Sequence, residues 1–214
     1  MASHVLRFLL RQSMNPLKNV AVFAAFAATA LTAVRASAQS QTWNIDPNHT
    51  ASQFAVKHML VSTVRGQFDK TTGTVAWDGK DPKSLQVNVE IDASSVNTRV
   101  AMRDNDLRSA NFFDVVTFPT ITFVSKRVDV VDATHFKLTG ALTMHGVTKD
   151  VVLDVEGPSA PITQGSNLRI GASASLKINR HDFDLHYNRV VEAAPVVGDE
   201  ITITLDIEAV RRAG

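Results

Sequence analysis

The histidines are the residues best suited to chemistry in this chain, because an imidazole can bind a metal ion or transfer protons near neutral pH. Six of them follow the first 38 residues: His49, His58, His135, His145, His181 and His186. Their spacing contains neither the His-x-x-x-His nor the His-Glu-x-x-His arrangement that places two ligands on one face of a helix. Spacing alone therefore predicts no metal site, although folding could bring two or three of these side chains together.

Other catalytic signatures are absent from the sequence. The chain has no cysteine to act as a nucleophile. It also has no Gly-x-Ser-x-Gly turn and no glycine-rich phosphate loop between a strand and a helix. We therefore expect no catalytic residues, no cofactor and no enzymatic activity.

The first 38 residues have the features of a secretory signal peptide. They carry four basic residues and no acidic one, and an apolar run extends over residues 20–34. That run is too short to span a bilayer comfortably, and Ala36-Ser37-Ala38 supplies the small-x-small pattern that signal peptidase requires. We expect cleavage after Ala38 and a periplasmic or secreted protein with no stable membrane span. An uncleaved membrane anchor is the alternative.

Removal of this segment changes the charge of the chain. Without its four basic residues, 18 of the 22 Lys and Arg remain against 21 Asp and Glu, so residues 39–214 are about 3 units negative. This balance excludes the electrostatic support that a nucleic-acid partner needs. The remaining 176 residues suffice for a single domain, with a packed core and strand pairing in place of disulfides.

Apolar and polar residues alternate with a period of two in about eight or nine segments between Trp43 and Ile207. Each predicted strand therefore has one apolar and one solvated face. Turn residues such as His145-Gly146 favour antiparallel hairpins. Such strands must bury their apolar faces, so the sequence predicts an all-β fold, an eight-stranded antiparallel barrel, with a two-sheet sandwich as the alternative.

The helical interruption between residues 97 and 123 has a different pattern. We predict a short α-helical segment around residues 98–114, with Thr98 as its N-cap and an i,i+4 ion pair between Asp104 and Arg108. Pro119 then begins the next strand. The simplest interpretation is a crossover helix that closes one end of the barrel.

The predicted strands are long enough to enclose an elongated space. The run from Leu168 to Ile178 rises ~3.4 Å per residue, and a strand tilt of roughly 40° gives a barrel on the order of 28 Å high. Such a barrel suits an extended hydrocarbon, but the same residues could form a filled core. If the interior is open, it is lined by Phe54, Val56, His58, Phe68, Val75, Trp77, Val87, Val89, Ile91, Phe113, Ile121, Phe123, Leu142, Ala174 and Leu176.

Two polar features accompany these inward positions. His58 continues the inward phase of its strand and would either contact a ligand head group or bond to a structural neighbour. Arg180 and Asp182 fall on the inward phase beyond Ile178, and we expect them to form an ion pair at the end of the barrel.

A series of ordered motifs extends over nearly all of residues 39–214. It comprises Ile45-Asp46-Pro47-Asn48-His49-Thr50, Phe54-Ala55-Val56-Lys57-His58, Gly66-Gln67-Phe68, Arg103-Asp104 with Leu107, Phe112-Phe113-Asp114, Phe118-Pro119-Thr120-Ile121-Thr122-Phe123, Leu142-Thr143-Met144-His145-Gly146-Val147-Thr148-Lys149, Ile178-Asn179-Arg180-His181-Asp182-Phe183 and Val197-Gly198-Asp199-Glu200-Ile201. Together these motifs resemble the YceI-like, or polyisoprenoid-binding, family. Two positions depart from the expected pattern: Asp106, where many members have histidine, and Asp184, where glycine is expected.

The resemblance implies an exported, lipocalin-like β-barrel whose apolar cavity binds and carries an isoprenoid-type lipid, such as a polyprenyl chain or an isoprenoid quinone. One alternative is an enzyme of lipid or quinone metabolism that uses the same pocket. Another is a stress-response protein that binds a fatty amide or no ligand. The sequence leaves open whether the protein is a monomer or a homodimer.

Overall fold

The computed structural model describes residues 40–187, 190–191 and 194–213, so the predicted signal peptide lies outside the described residues. The described strands are β1 (Gln41–Ile45), β2 (Ala51–His58), β3 (Ser62–Phe68), β4 (Thr71–Trp77), β5 (Gln86–Asp92), β6 (Val96–Asn97), β7 (Thr120–Val130), β8 (His135–Met144), β9 (Val147–Glu156), β10 (Ile162–Gln164), β11 (Asn167–Asn179), β12 (Val190–Val191), β13 (Ala194–Pro195) and β14 (Val197–Arg212). A helix, α1, spans Ala101–Arg108, and 3-10 turns span Pro47–His49, Pro82–Ser84, Ala93–Ser95 and Arg180–Phe183. No helix within these described ranges has the length and apolar character needed to cross a membrane.

Eight of the strands form a closed antiparallel barrel. Their order round the ring is β1, β4, β5, β7, β8, β9, β11 and β14, and β14 returns to pair with β1. The longest pairing joins β11 and β14, from Asn167 opposite Arg212 to Asn179 opposite Glu200. The predicted eight-stranded antiparallel barrel is confirmed, and the sandwich alternative is wrong.

A hairpin extends the sheet beyond this ring. The 3-10 turn Pro47–His49 separates β1 from β2, and the two strands pair with different parts of β14. β3 then folds back on β2 and pairs with the short strand β6. The β2–β3 hairpin is therefore held next to the segment that leads into α1.

Two hydrophobic clusters fill the two ends of the barrel. The first, which we call the tryptophan end, contains Trp43 and Trp77 together with Leu85, Phe136 and Ile170. The second, which we call the helix end, has as its buried members Ala93, Ile121, Met144, Ile178, Phe183 and Leu185. Leu142, Val151 and Leu176 pack against both clusters and lie between the two ends.

One seam of the barrel is only partly paired. β9 and β11 share the short stretch in which Ser173–Ser175 face Asp154–Glu156. The 3-10 turn that follows β11 places Phe183 and the adjacent Leu185 in the helix-end cluster, where Val147 and Val151 of β9 also pack. These side chains cover the seam where backbone pairing stops.

The helix begins later than the sequence suggested. Its N-cap is Val100, which provides no side-chain hydrogen bond, so the prediction of Thr98 as N-cap was wrong. Thr98 instead donates its backbone N–H and its hydroxyl to the buried Asp104 carboxylate. Two donors on one residue satisfy the carboxylate inside the protein, and this fixes the chain just before α1.

The predicted ion pair between Asp104 and Arg108 was also wrong. Asp104 faces Thr98, as described above, while the Arg108 guanidinium donates to the backbone oxygens of Ser94 and Val96 at 2.7 Å each. The two side chains do not pair because each has its own partners in the preceding segment. Arg108 thereby ties the end of α1 to β6.

Candidate ligand-binding cavity

An apolar cavity lies inside the barrel between its two ends. The volume of the cavity, measured as the space open to the centre of a water-sized sphere, is about 230 Å³. One water molecule needs only ~10–15 Å³ on the same measure. Nearly all the cavity wall consists of aliphatic and aromatic side chains from the ring strands, α1 and the segment after α1. The interior is therefore open rather than a completely filled core.

Thirteen of the fifteen residues predicted to line an open interior lie on this wall. They are Phe54, Val56, Phe68, Val75, Val87, Val89, Ile91, Phe113, Ile121, Phe123, Leu142, Ala174 and Leu176. The structure thus brings together residues from eight separate segments of the chain. Their contact with a ligand stays a prediction.

His58 lies outside the cavity wall. It is the last residue of β2, where it faces Ser62 of β3 and Val197 of β14. Its inward phase follows from the alternation, but β2 passes the barrel interior at Val56, the last wall residue of this strand. The prediction that His58 contacts a ligand head group from within the wall therefore has no geometric support.

Trp77 is buried but does not line the cavity. Its side chain is 5% exposed within the tryptophan end, and its indole N–H donates to the backbone oxygen of Asp81 at 3.2 Å. That bond draws the ring towards the turn after β4. Trp77 therefore closes the end of the barrel instead of facing the ligand space.

Several wall residues were missed from the candidate set. Many share the alternating phase of predicted strands, and this signal could have identified Leu138, Met144, Val151, Leu153, Val155, Ile170, Ala172, Ile178, Ile201, Ile203, Leu205 and Ile207. Others, such as Leu107, Phe112, Leu185 and Val197, come from α1, loops or the start of β14. No periodic signal marks those positions.

Aromatic rings form a continuous surface at the helix end. Phe68 lies between Phe54 and Phe113, with ring-centroid distances of 5.8 and 5.6 Å. Beside them, Phe112 packs against Tyr187 at 4.5 Å. These contacts join the β2–β3 hairpin, the segment after α1 and the segment before β12 around the cavity.

Arg180 is the charged residue among the described side chains of the wall. It is 3% exposed and donates to the backbone oxygens of Leu185 and Gly198 and to the Asp199 carboxylate, the last at 2.9 Å. Asp182 is exposed, so the predicted Arg180–Asp182 pair was wrong. Arg180 therefore places a positive charge at the cavity wall, but its guanidinium is already hydrogen-bonded to other groups of the protein.

The remaining polar residues of the wall are Ser52, Gln53, Thr122 and Ser173. The Ser52 hydroxyl is 2.9 Å from the hydroxyl of Thr71, which is also buried. Among the described wall residues there is no carboxylate, histidine, lysine or tyrosine to serve as a general base. The described wall is thus suited to holding an apolar molecule.

A polar cluster of Asp46, His49 and Glu208 lies outside the cavity wall, with its oxygens and nitrogen close enough to surround a cation. Arg169, however, donates to both carboxylates. Hydrogen bonds from His49 and Arg169 lower the pKa of Asp46 to about 2. Because the guanidinium already provides the positive charge, this cluster is an ion-pair network and a poor metal site.

Comparison with known proteins places this fold and cavity in a family. The sequence model of the YceI-like domain matches residues 43–209, which include all or most of every strand of the closed ring. The chain belongs to the YceI-like family. The match covers the same part of the chain in which the ordered motifs were recognised.

Relatives in distant bacteria share this domain. A UPF0312 protein of Staphylococcus aureus (strain MSSA476) is 34% identical over 157 residues, which cover 72% of this chain and 88% of that protein. A UPF0312 protein of Pectobacterium atrosepticum is 35% identical over 164 residues, covering 77% of this chain and 82% of that protein.

Solved structures show the same architecture. The crystal structure of a Campylobacter jejuni YCEI protein has a TM-score of 0.64 and 31% identity, covering 73% of this chain and 90% of that chain. A polyisoprenoid binding domain from Saccharophagus degradans has a TM-score of 0.59 over 80% of this chain and 98% of that chain. At 19% identity the second likeness concerns the fold alone.

The two positions expected from the sequence to differ from other family members have clear structural settings. Asp184 adopts a left-handed conformation, with φ of 59° and ψ of 23°, which glycine takes without strain and aspartate tolerates. Asp106 accepts a hydrogen bond from the Asn111 side chain at 2.8 Å and so braces the turn after α1. Neither residue lies on the cavity wall.

Proposed function

We propose that this protein is an exported, non-enzymatic binder and carrier of an isoprenoid-type lipid, either a polyprenyl chain or an isoprenoid quinone. The observation that carries the proposal is the cavity inside the barrel, whose wall is almost entirely apolar. Such a wall disfavours the binding of ions and sugars and favours the binding of a hydrocarbon. The occupant is a single chain, threaded between the two ends of the barrel.

The driving force is the burial of hydrocarbon. Each methylene removed from water contributes ~0.8 kcal/mol, before the costs of ordering the chain and losing its free motion. Ten buried carbons supply about 8 kcal/mol before these costs, so tight binding requires a longer buried chain. The polar head of the lipid stays near the helix end, where loops and exposed polar groups border the wall.

Three further points support the isoprenoid class and the carrier role. The family to which the chain belongs is the first, and the similarity of fold to a polyisoprenoid binding domain is the second. The third is the basic and apolar segment over residues 1–38, which favours export to the periplasm or the outside. A carrier in that compartment would shield a lipid from water between membranes.

The direct test is organic extraction of freshly purified protein followed by mass spectrometry. We expect an isoprenoid species in a ratio near one per chain, absent from a control protein purified from the same cells. Stripped protein should then bind a long-chain isoprenoid quinone more tightly than a straight-chain fatty amide of similar length. Recovery of a fatty amide, or of no lipid together with no binding by the stripped protein, would contradict the proposal.

Enzymatic activity has its own readout. Lipid incubated with the protein and recovered by extraction should be chemically unchanged, because the described wall holds no general base. A new product that depends on protein concentration would instead support the enzyme alternative.

A further inference from the structure

Two histidines face each other on the outside of the barrel near the helix end. The Nδ1 atom of His181 lies 2.9 Å from the Nδ1 atom of His186. The rings are nearly parallel, with centroids 5.1 Å apart and an interplanar angle of 20°. The two Nδ1 atoms therefore face each other, close enough for one ion placed beside them to reach both.

Each imidazole is held at its opposite nitrogen by a carboxylate. Nε2 of His181 is 2.8 Å from Asp199, and Nε2 of His186 is 2.8 Å from Asp184. Histidines that ligate metals almost always donate their second N–H to a carboxylate or carbonyl, which fixes the ring and strengthens the ligand. The structure shows that second contact for both members of the pair.

A 3-10 turn followed by a reversal of the chain presents these two groups. The His181 N–H donates to the Asn179 side chain at 3.0 Å, which starts the 3-10 turn after β11. Asp184 then takes its left-handed conformation, and this reverses the chain so that His186 returns to His181. His181 is 32% and His186 61% exposed, so an ion can reach them from solvent.

A hydrogen bond explains this contact only when the two rings together carry three protons. With both Nε2 atoms donating to carboxylates, the two Nδ1 atoms can bond to each other only if one of them carries a further proton. Without that proton, two lone pairs face each other at 2.9 Å. A cation placed beside them is the partner that satisfies both.

We propose that His181 and His186 bind a divalent transition-metal ion through their Nδ1 atoms. Two nitrogens at about 2.0 Å from one ion are about 2.8 Å apart when the angle at the ion is a right angle, and about 3.3 Å apart in a tetrahedron. The separation of 2.9 Å is close to the right-angle value, and binding would rotate each ring to aim its lone pair at the ion. Tetragonal nitrogen and oxygen sites select Cu²⁺ or Ni²⁺, and Cu²⁺ binds more tightly. Water completes the coordination.

Two carboxylates and one guanidinium surround the pair, and the nitrogens proposed to coordinate the ion are not bonded to the guanidinium. Asp184 and Asp199 face the two rings, and Asp199 also accepts from Arg180 at 2.9 Å. Arg180 and Leu185, which directly precede the two histidines, lie on the cavity wall. The proposed metal site is thus on the outer side of the wall that encloses the ligand space. It does not depend on the identity of the lipid.

Titration of untagged full-length protein with Cu²⁺ alone tests the proposal. All variants carry His4→Ala, which removes the histidine of residues 1–38. We expect one tight Cu²⁺ per chain, with an electron paramagnetic resonance spectrum split by two imidazole nitrogens. His186→Ala, at an exposed position, should weaken binding at least tenfold and remove one nitrogen from the spectrum. Circular dichroism checks that it folds.

His135→Ala is the matched control. His135 is also exposed and also bonds a carboxylate, that of Asp132 at 3.0 Å, but it has no imidazole facing it among the described residues. Its removal should leave Cu²⁺ affinity and spectrum unchanged, and so should His49→Ala. If wild-type protein binds Cu²⁺ no better than His181→Ala/His186→Ala, or if either control abolishes binding, the proposal is overturned.

The Asp184→Gly variant distinguishes an effect on metal binding from an effect on folding. Glycine is favoured at a φ of 59°, so this variant should fold at least as stably as the wild type. Loss of the carboxylate that holds His186 should nevertheless weaken Cu²⁺ binding by about 10–100-fold. Unchanged affinity in a folded Asp184→Gly variant would contradict the role of the carboxylate and the ring geometry on which the site rests.

Discussion

At the scale of single residues, two glycines create room for aromatic rings inside the barrel. A side chain at Gly140 would overlap the ring of Phe123 and the backbone oxygen of Val124. In the same way, a side chain at Gly66 would overlap the ring of Phe54. Because the rings lie over bare backbone, they cover the wall without filling the centre. Glycine on one strand and phenylalanine on its neighbour thus keep the cavity open.

Val89 offers a test of that open space. It faces Gly73 and Phe123 on the neighbouring strands and lies on the cavity wall. We predict that Val89→Phe puts its ring into the space a lipid would occupy, so that co-purified lipid is lost or shortened. The thermal midpoint of the stripped variant should stay close to that of stripped wild type, as measured by calorimetry.

The matched control for this substitution is Asn88→Gln on the outer face of the same strand. It should alter neither lipid content nor thermal midpoint. A filled core would give the opposite pattern, because overpacking costs about 1–3 kcal/mol. Normal lipid binding by a destabilised Val89→Phe variant would show that the ligand does not pass this strand.

Asp46 gives a prediction about acid stability. Hydrogen bonds from His49 and Arg169 lower the pKa of Asp46 from 3.8 to about 2 in the folded protein. The folded state therefore favours the ionised carboxylate, and this contribution to stability is present above about pH 4 and lost as pH falls towards 2. Asp46→Asn should lower the thermal midpoint at neutral pH, and the difference from wild type should shrink between about pH 4 and pH 2.

Glu90→Gln is the control for this measurement, since Glu90 is an exposed carboxylate in the middle of β5. Its midpoint should follow the wild-type curve across the same pH range. A gap between wild type and Asp46→Asn that stays constant down to pH 2 would contradict the lowered pKa.

At the scale of elements, the segment around α1 is fixed mainly from within. Asp104 accepts two hydrogen bonds from Thr98, and Arg103 donates to the Thr98 hydroxyl and carbonyl at 2.7 and 2.9 Å. Arg108 then bonds the backbone of β6. This polar network holds Leu107 and the following phenylalanines against the cavity.

We predict that Asp104→Ala destabilises the protein by about 1–3 kcal/mol, because it leaves the buried N–H and hydroxyl of Thr98 without their acceptor. Chemical denaturation measures the change. The control Met102→Ala removes an exposed side chain from the same helix and should change the free energy of unfolding by less than about 0.5 kcal/mol. Equal effects of the two substitutions would mean that the network is not what stabilises this segment.

At the scale of the whole molecule, closure of the ring removes the unpaired edges that eight amphipathic strands would otherwise expose. The incompletely paired seam between β9 and β11 is covered by the 3-10 turn that follows β11. The same turn carries Arg180 and His181. The 3-10 turn Arg180–Phe183 therefore both covers this seam of the barrel and positions these polar groups.

Export of the whole chain can be tested by mass. We predict that the exported protein begins at Gln39, because Ala36 and Ala38 satisfy the small-residue requirement of signal peptidase. Intact mass spectrometry of the exported fraction measures this directly. Ala38→Leu should block processing, whereas Ser37→Leu, at the unrestricted middle position, should not. A membrane-bound species that retains residues 20–34 would support the anchor alternative.

The alternation of the sequence determined which residues face the interior. A strand turns its side chains to opposite faces with a period of two, so residues such as Val87, Val89 and Ile91 identify their own face without knowledge of the partners. The same signal predicted the eight-stranded barrel and thirteen residues of its cavity wall. The alternation also gives His58 an inward phase, but β2 no longer borders the barrel interior at that residue.

The tertiary structure alone decided which polar groups meet. Arg180 pairs with Asp199 rather than Asp182 because the antiparallel pairing of β11 with β14 brings the end of β11 to the start of β14. His181 meets His186 because Asp184 reverses the chain between them, and no spacing rule for helices or strands describes that turn. Local periodicity reports the direction of a side chain, whereas its partners depend on strand register and turns, which are set by the packing of the whole barrel.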